Sequence, residues 1–210
     1  MPSHDDAPIP WKDWYNSGAA PHWDVPGVYQ FITFRLADSL PQQVLKKLRD
    51  DTNRLPALKQ RQFKRRSIEN WLDAGLGCCV LARPEMAAVV RDSLLHYDGK
   101  RYRLFAWCVM PNHVHVLIEP LYSLPRIVQG WKSTATRWML LNNERLGLGV
   151  SERSLWMRDY WDRFIRDEQH FLTTIHYIHE NPVKAGLCSS SEQWMWSSAY
   201  SGNNKANPPA

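Results

Sequence analysis

Little in these 210 residues suits a secreted, membrane-spanning or disulfide-built protein. There are four cysteines, with no C-x-x-C spacing, and Cys78 and Cys79 are adjacent, a poor arrangement for a cross-linked framework. They read as reduced core residues of a cytoplasmic protein. No stretch approaches eighteen apolar residues, which excludes a membrane-spanning helix. The polar opening Ser3-His4-Asp5-Asp6 lacks the apolar run of a secretory signal. A phosphate-cradling glycine loop is missing as well: Leu146-Gly147-Leu148-Gly149 has no following Lys-Ser/Thr, and no nucleotide cofactor is expected. No internal repeat is visible.

What is present is ordinary in bulk and unusual in detail. Apolar residues make up 44% and charged residues 22%, which suits one globular domain with a real core. Eleven tryptophans, a net charge of +5 and a pI near 9.1 lean towards a polyanionic partner. The charge is concentrated: residues 42–73 hold nine Lys/Arg against four Asp/Glu. That segment reads as a helical insertion, either a solvated face or a phosphate-contacting one.

Residues 1–26, with five prolines and three tryptophans, read as an irregular arm laid over the domain. Val28–Leu36 is β-branched and aromatic, a strand. Pro41 opens a helix, a second helical run spans about Lys59 to Asp73, and a third runs from Pro84 to His96. Arg101–Val109 and the strand from His113 form an antiparallel hairpin across Met110-Pro111-Asn112. A helix from Leu124 to Asn142 follows, with Ile127, Val128, Trp131, Ala135 and Leu140 inward. A short strand falls within Trp156–Ile165, and Asp167 caps a last helix running to Pro182. The order gives an α+β fold: a ferredoxin-like (RRM-like) βαββαβ sandwich with one antiparallel sheet, the helical insertion, and an extra C-terminal helix. The domain is expected over residues 27–187, with a tail over 188–210.

The chemistry sits on two of these elements. His113-Val114-His115 lies in an alternating strand, so both imidazoles share a face about 6.6 Å apart along the chain. They can lean onto one divalent cation while Val114, Val116 and Ile118 enter a core. On the last helix, Phe171, Ile175 and Ile178 form the stripe expected to pack on the sheet. Tyr177 falls well over 90° away, sharing a face with His170, Thr174 and Asn181. Tyr177 and Asn181, at i and i+4, point at the same small volume. Taken singly, a rim tyrosine and two solvated histidines are bland features; the combination is specific.

Met110-Pro111-Asn112-His113-Val114-His115-Val116-Leu117-Ile118 and Tyr177-Ile178-His179-Glu180-Asn181-Pro182-Val183-Lys184-Ala185-Gly186-Leu187 resemble the REP-associated tyrosine transposases, the single-tyrosine branch of the HUH endonucleases. Phe31-Ile32-Thr33-Phe34-Arg35-Leu36-Ala37-Asp38-Ser39-Leu40-Pro41, Gly130-Trp131-Lys132-Ser133 and Ile165-Arg166-Asp167-Glu168 fit too, and the resemblance covers most of residues 22–200. It implies a ferredoxin-like core, with His113 and His115 holding Mg²⁺ or Mn²⁺. It also implies Asn181 as a third, amide-oxygen ligand and Tyr177 as the nucleophile. The implied substrate is single-stranded DNA of repetitive extragenic palindromes, presented as a hairpin with a short foot. The implied product is a 5′-phosphotyrosine with a free 3′-OH, which lets a second 3′-OH rejoin strands without ATP.

A phenol with a pKa near ~10 needs a base or a cation's field; His170, His179 and bound water are the candidate bases. Arg126, Lys132 and Arg137 on the middle helix, and Lys64, Arg65 and Arg66 in the insertion, are candidate phosphate contacts. Trp11, Trp14, Trp194 and Trp196 are candidates for stacking on bases. Two other readings compete. A non-catalytic nucleic-acid-binding module on an RRM-like sheet needs exposed aromatics on its central strands. A water-using metallohydrolase needs acidic ligands, for which Glu119 is the nearby carboxylate on the histidine strand. Monomer and homodimer both remain open, with the tyrosine serving its own chain or a partner's.

Overall fold

The computed structural model describes residues 11–16, 21–150 and 155–202. Strands β3 (Gln30–Arg35), β4 (Tyr102–Val109), β5 (His113–Pro120) and β6 (Trp161–Phe164) form one antiparallel sheet in the order β4-β5-β3-β6. Helix α3 (Pro84–Leu95) lies between β3 and β4 in the chain, and α4 (Leu124–Leu146) between β5 and β6. This is the βαββαβ plan expected.

The sheet has two differently covered faces. Ile32 and Phe34 of β3 and Val114, Val116 and Ile118 of β5 point into the larger core, against α3 and α4. A chain of bonds crosses that core: Trp131 Nε1 donates to the Tyr102 hydroxyl at 2.9 Å, which donates to the Leu94 carbonyl at 2.7 Å. The opposite face carries Phe31, Ala106, Cys108, Met110 and Leu117, and on it lies α5 (Glu168–Lys184) through Ile178. Small side chains at Ala106 and Cys108 let the helix settle onto the strands. Burying Ile178 fully is worth about 1.5–3 kcal/mol.

The basic insertion forms α1 (Gln42–Asn53) and α2 (Ala57–Asp73). It is more than a solvated appendage: Leu40, Leu48, Ile68 and Leu72 make a core of their own, against which Trp161 of β6 packs. The chain leaves α2 through Gly77, at φ +81° and so close to Ser39 that a Cβ would lie 2.4 Å from its carbonyl carbon.

Three expectations differ from the structure. The arm, expected to be irregular, pairs Asp13–Asn16 (β1) with Pro21–Asp24 (β2); residues 1–10 and 17–20 of it lie outside the described residues. Asp24 explains why it docks, since its carboxylate accepts from the Leu124 N–H at 2.8 Å and the Ser123 hydroxyl at 3.0 Å, capping α4 from a remote segment. Leu140, expected inward on α4, is 49% exposed, and Met139 is buried in its place. The last helix does not stop at Pro182 but runs to Lys184, because the Ala185, Gly186 and Leu187 amides close onto Asn181, Val183 and Pro182 carbonyls, with Gly186 at φ +69°. Of the tail, residues 203–210 lie outside the described residues, while Trp196 enters the main core.

Gly77 and Gly130 make opposite predictions. Gly77→Ala should lower the unfolding free energy by about 1–3 kcal/mol, from its left-handed backbone and the clash with Ser39. Gly130→Ala, inside α4 with open space around it, should raise it by about 0.5–1 kcal/mol. Urea titration of the two variants checks both signs.

Candidate active site

Because β5 alternates, His113, His115 and Leu117 all face α5, opposite Arg35, Thr33 and Phe31 of β3. Both imidazoles are buried. Their Nε2 atoms face each other at 2.9 Å. Each outer nitrogen has a partner: Asn112 Oδ1 meets His113 Nδ1 at 2.7 Å, and Thr33 Oγ1 meets His115 Nδ1 at 2.9 Å. Burial, reinforced by Arg35, pushes the His113 pKa down to about 3. Burial, then the neighbouring His113, holds His115 well below the usual range. The pair is therefore neutral and offers lone pairs.

A third donor comes from the insertion. Asp73, the last residue of α2, brings Oδ1 to 3.5 Å from His113 Nε2. That oxygen is buried without a hydrogen-bond partner among the described residues. Burial and then Glu69 raise its carboxyl to about 6, against the pull of Lys184. Ligand atoms of Asp73, His113 and His115 all lie within 4.8 Å of one another. Two neutral imidazoles, a carboxylate oxygen with nothing to accept from, and no thiolate form a donor set that fits a divalent cation. Asp73 was not foreseen: a helix-terminal acid in a basic segment carries no motif, and only the fold brings it to the histidines.

Helix α5 delivers the phenol. Asp167 accepts from the His170 N–H at 2.7 Å and starts the helix. Thr174, Ile178 and Asn181 form its buried line, so Tyr177 lies at the edge of the packing face rather than away from it as expected. Its ring stands edge-on to His115, with centroids 5.4 Å apart, and to Phe31 at 5.8 Å. Burial, then Asp73, raises the phenol to about 12, with the Asn181 amide and Arg65 pulling back. Asn181 is fully buried one turn on; its amide donates to the Tyr177 carbonyl at 3.4 Å, and its Oδ1 has no hydrogen-bond partner among the described residues.

The site opens into a cleft of about 530 Å³ lined by Arg65, Arg66, Arg163, Asn70, Asp73 and Tyr177. Two of the expected phosphate contacts, Arg65 and Arg66, thus face it, with Arg65 held by Glu69 at 2.9 Å. Arg163 of β6, not foreseen, joins them. Lys64 is exposed on α2 outside that lining, and Arg126 is exposed on α4. Arg137 lines a groove of about 870 Å³ beside α4, across the sheet from Tyr177. Lys132 turns inward: its ammonium donates to the carbonyls of Met157, Arg158 and Asp159 at 2.9–3.3 Å, holding the approach to β6.

Several other expected partners are engaged elsewhere. His179 Nε2 meets Ser198 Oγ at 2.8 Å, and His170 Nδ1 accepts from the Arg166 N–H. Glu119 pairs with Arg103 at 2.8 Å. Trp194 donates to the Val109 carbonyl and Trp196 is buried, so both pack. Trp11 is half-buried, whereas Trp14 is 62% exposed and stacked on Trp23.

Residues 85–181, which include both histidines, Tyr177 and Asn181, match the family model described as Transposase IS200 like. The match agrees with the family expected from the sequence motifs. A REP-associated tyrosine transposase of Escherichia coli is 26% identical over 113 residues, 53% of this chain and 64% of that one. A Haemophilus influenzae protein provisionally named for the same group is 25% identical over 126 residues, 55% of this chain and 68% of that one. The solved structure of a REP-associated tyrosine transposase bound to a REP hairpin superposes with a TM-score of 0.52 at 18% identity, covering 90% of this chain and 86% of that one. That likeness shows the fold alone. Among the described residues no helix is long and apolar enough to cross a membrane.

The three carbonyl contacts of Lys132 predict a structural effect. Lys132→Met should lower the unfolding free energy by about 1–3 kcal/mol, whereas the exposed Arg137→Ala should stay within about 0.5 kcal/mol. Thermal and urea unfolding separate the two.

Proposed function

We propose that this chain is a metal-dependent single-stranded DNA endonuclease and strand transferase acting on REP-type hairpin DNA, with Tyr177 as nucleophile. The observation that carries this reading is the Tyr177 ring standing against His115 at the mouth of an arginine-lined cleft. His113, His115 and Asp73 would hold Mg²⁺ or Mn²⁺, with Asn181 Oδ1 as a further oxygen donor. The cation, when bound, offsets charge on a non-bridging phosphate oxygen and lowers the cost of ionising a nearby phenol. Arg65, Arg66 and Arg163 bind the strand's phosphates and orient the scissile one. The Tyr177 oxygen attacks phosphorus; the Tyr–O–P bond forms as the bond to the 3′ oxygen breaks. The phenol loses its proton and the departing 3′ oxygen gains one, leaving a 5′-phosphotyrosine and a 3′-OH. Attack by another 3′-OH reverses these steps and joins strands. Tyr177 reaches the histidines of its own chain, which supports action within a single protomer.

The hairpin part of the reading is supported by the REP hairpin bound to the structural relative. A purely binding RRM-like sheet is disfavoured: Phe31 on the central strand is 3% exposed and lies under α5. Asp73 keeps a water-using hydrolase as the rival.

Hairpin-bearing single-stranded DNA with Mn²⁺ should give a covalent adduct with wild-type protein, seen on denaturing gels. Tyr177→Phe should abolish the adduct and leave binding intact. Cleavage by that variant at the wild-type rate would pass the nucleophile's role to water. His113→Ala and His115→Ala should each cut cleavage by at least ~100-fold with the circular dichroism unchanged. In a separate measurement, Arg163→Ala should weaken DNA binding and reduce the slope of log affinity against log salt by about 0.7; an unchanged slope removes Arg163 from the phosphate contacts.

A further inference from the structure

Asp73 lies outside the family-matched segment, and one side chain, Asn112, ties the backbone beside it to His113. Asn112 is completely buried. Its amide nitrogen donates to the carbonyls of Leu72 at 3.3 Å and Leu76 at 3.0 Å, at the end of α2 and in the turn after it. Those two acceptors fix which way the amide points. The atom facing His113 Nδ1 at 2.7 Å is therefore the oxygen. An amide oxygen only accepts, so His113 carries its hydrogen on Nδ1 and keeps a bare lone pair on Nε2. That Nε2 faces both His115 Nε2 and Asp73 Oδ1. One side chain thus sets the ring's tautomer and ties down the helix end that presents the carboxylate.

We infer that Asn112 is a positioning residue for the metal centre, and that through it the α1–α2 insertion becomes part of that centre, with Asp73 as its anionic ligand. This rests on the reading of His113 and His115 as metal ligands. The hydrogen-bond partner of a ligating histidine governs ring orientation and basicity, and losing one typically weakens metal binding by about 10–100-fold. Here the loss has two routes, a freed imidazole and a displaced carboxylate. If Asn112 only satisfied two turn carbonyls, its removal would cost stability and leave the ion's affinity alone.

The test is Mn²⁺ titration of the DNA-free full chain, followed by electron paramagnetic resonance of the free ion. Nitrogen-15 NMR of the His113 ring is recorded alongside. Wild-type protein should show the Nδ1–H tautomer. Asn112→Ala should bind Mn²⁺ about 10–100-fold more weakly and lose that tautomer preference. Asp73→Asn should weaken Mn²⁺ binding while keeping the tautomer. Combining the two should cost less than the product of the single losses, because both act on one ligand. Asn112→Asp, which keeps an acceptor for His113 but loses both donations, should retain the tautomer and bind with intermediate affinity; it decides the matter if the alanine variant does not fold. Wild-type affinity in Asn112→Ala and Asn112→Asp, or a wild-type His113 protonated on Nε2, overturns the inference. Failure of the wild-type protein to bind Mn²⁺ overturns the metal reading beneath it instead.

Discussion

The arrangement depends on two neutral imidazoles, both buried, that face each other across 2.9 Å. Charging either would mean burying a cation beside Arg35 or beside the other ring, which is why both stay unprotonated. The β3–β5 register is what makes them converge. A slip of one residue would send both rings into the apolar core and bring Val114 and Val116 out to α5. Packing of the larger core therefore guards the site's geometry from the opposite face of the sheet.

Burial has the opposite meaning for Tyr177. A phenol pushed up to about 12 is a weaker nucleophile at neutral pH than one in water. In the proposed reaction that inertness is useful, since the group is activated only once cation and phosphate are both in place. Lys184, whose ammonium lies 5.1 Å from the Tyr177 ring centre, and Arg65 contribute standing positive charge nearby. Glu69 and Asp73 oppose them, so no fixed charge of the protein alone ionises the phenol.

Much of this was legible in the residues, and for physical reasons. Strict alternation over His113–Ile118 reports directly on which side chains share a face, and the βαββαβ order follows from where periodicity changes. Tyr177 was harder: angular bookkeeping from Phe171, Ile175 and Ile178 put it off the packing face, but the helix beds on Thr174, Ile178 and Asn181, which rotates the tyrosine onto His115. Buried polar residues such as Asn181, Asn112 and Thr33 mislead any hydrophobicity argument. Asp73 and Arg163 were invisible because their relevance is purely tertiary, and Lys132 because a lysine aimed at backbone carbonyls reads like any solvent-facing one.

The matched segment begins at residue 85, yet β3, which sits between β5 and β6 in the sheet and carries Phe31 and Thr33, lies wholly before it. What is recognisable by descent is thus not a self-sufficient folding unit. Excising or grafting that stretch would split the sheet down its middle and leave His115 without its threonine neighbour. Exchange of parts between such proteins has to carry the upstream strand along, or supply an equivalent one from the new host.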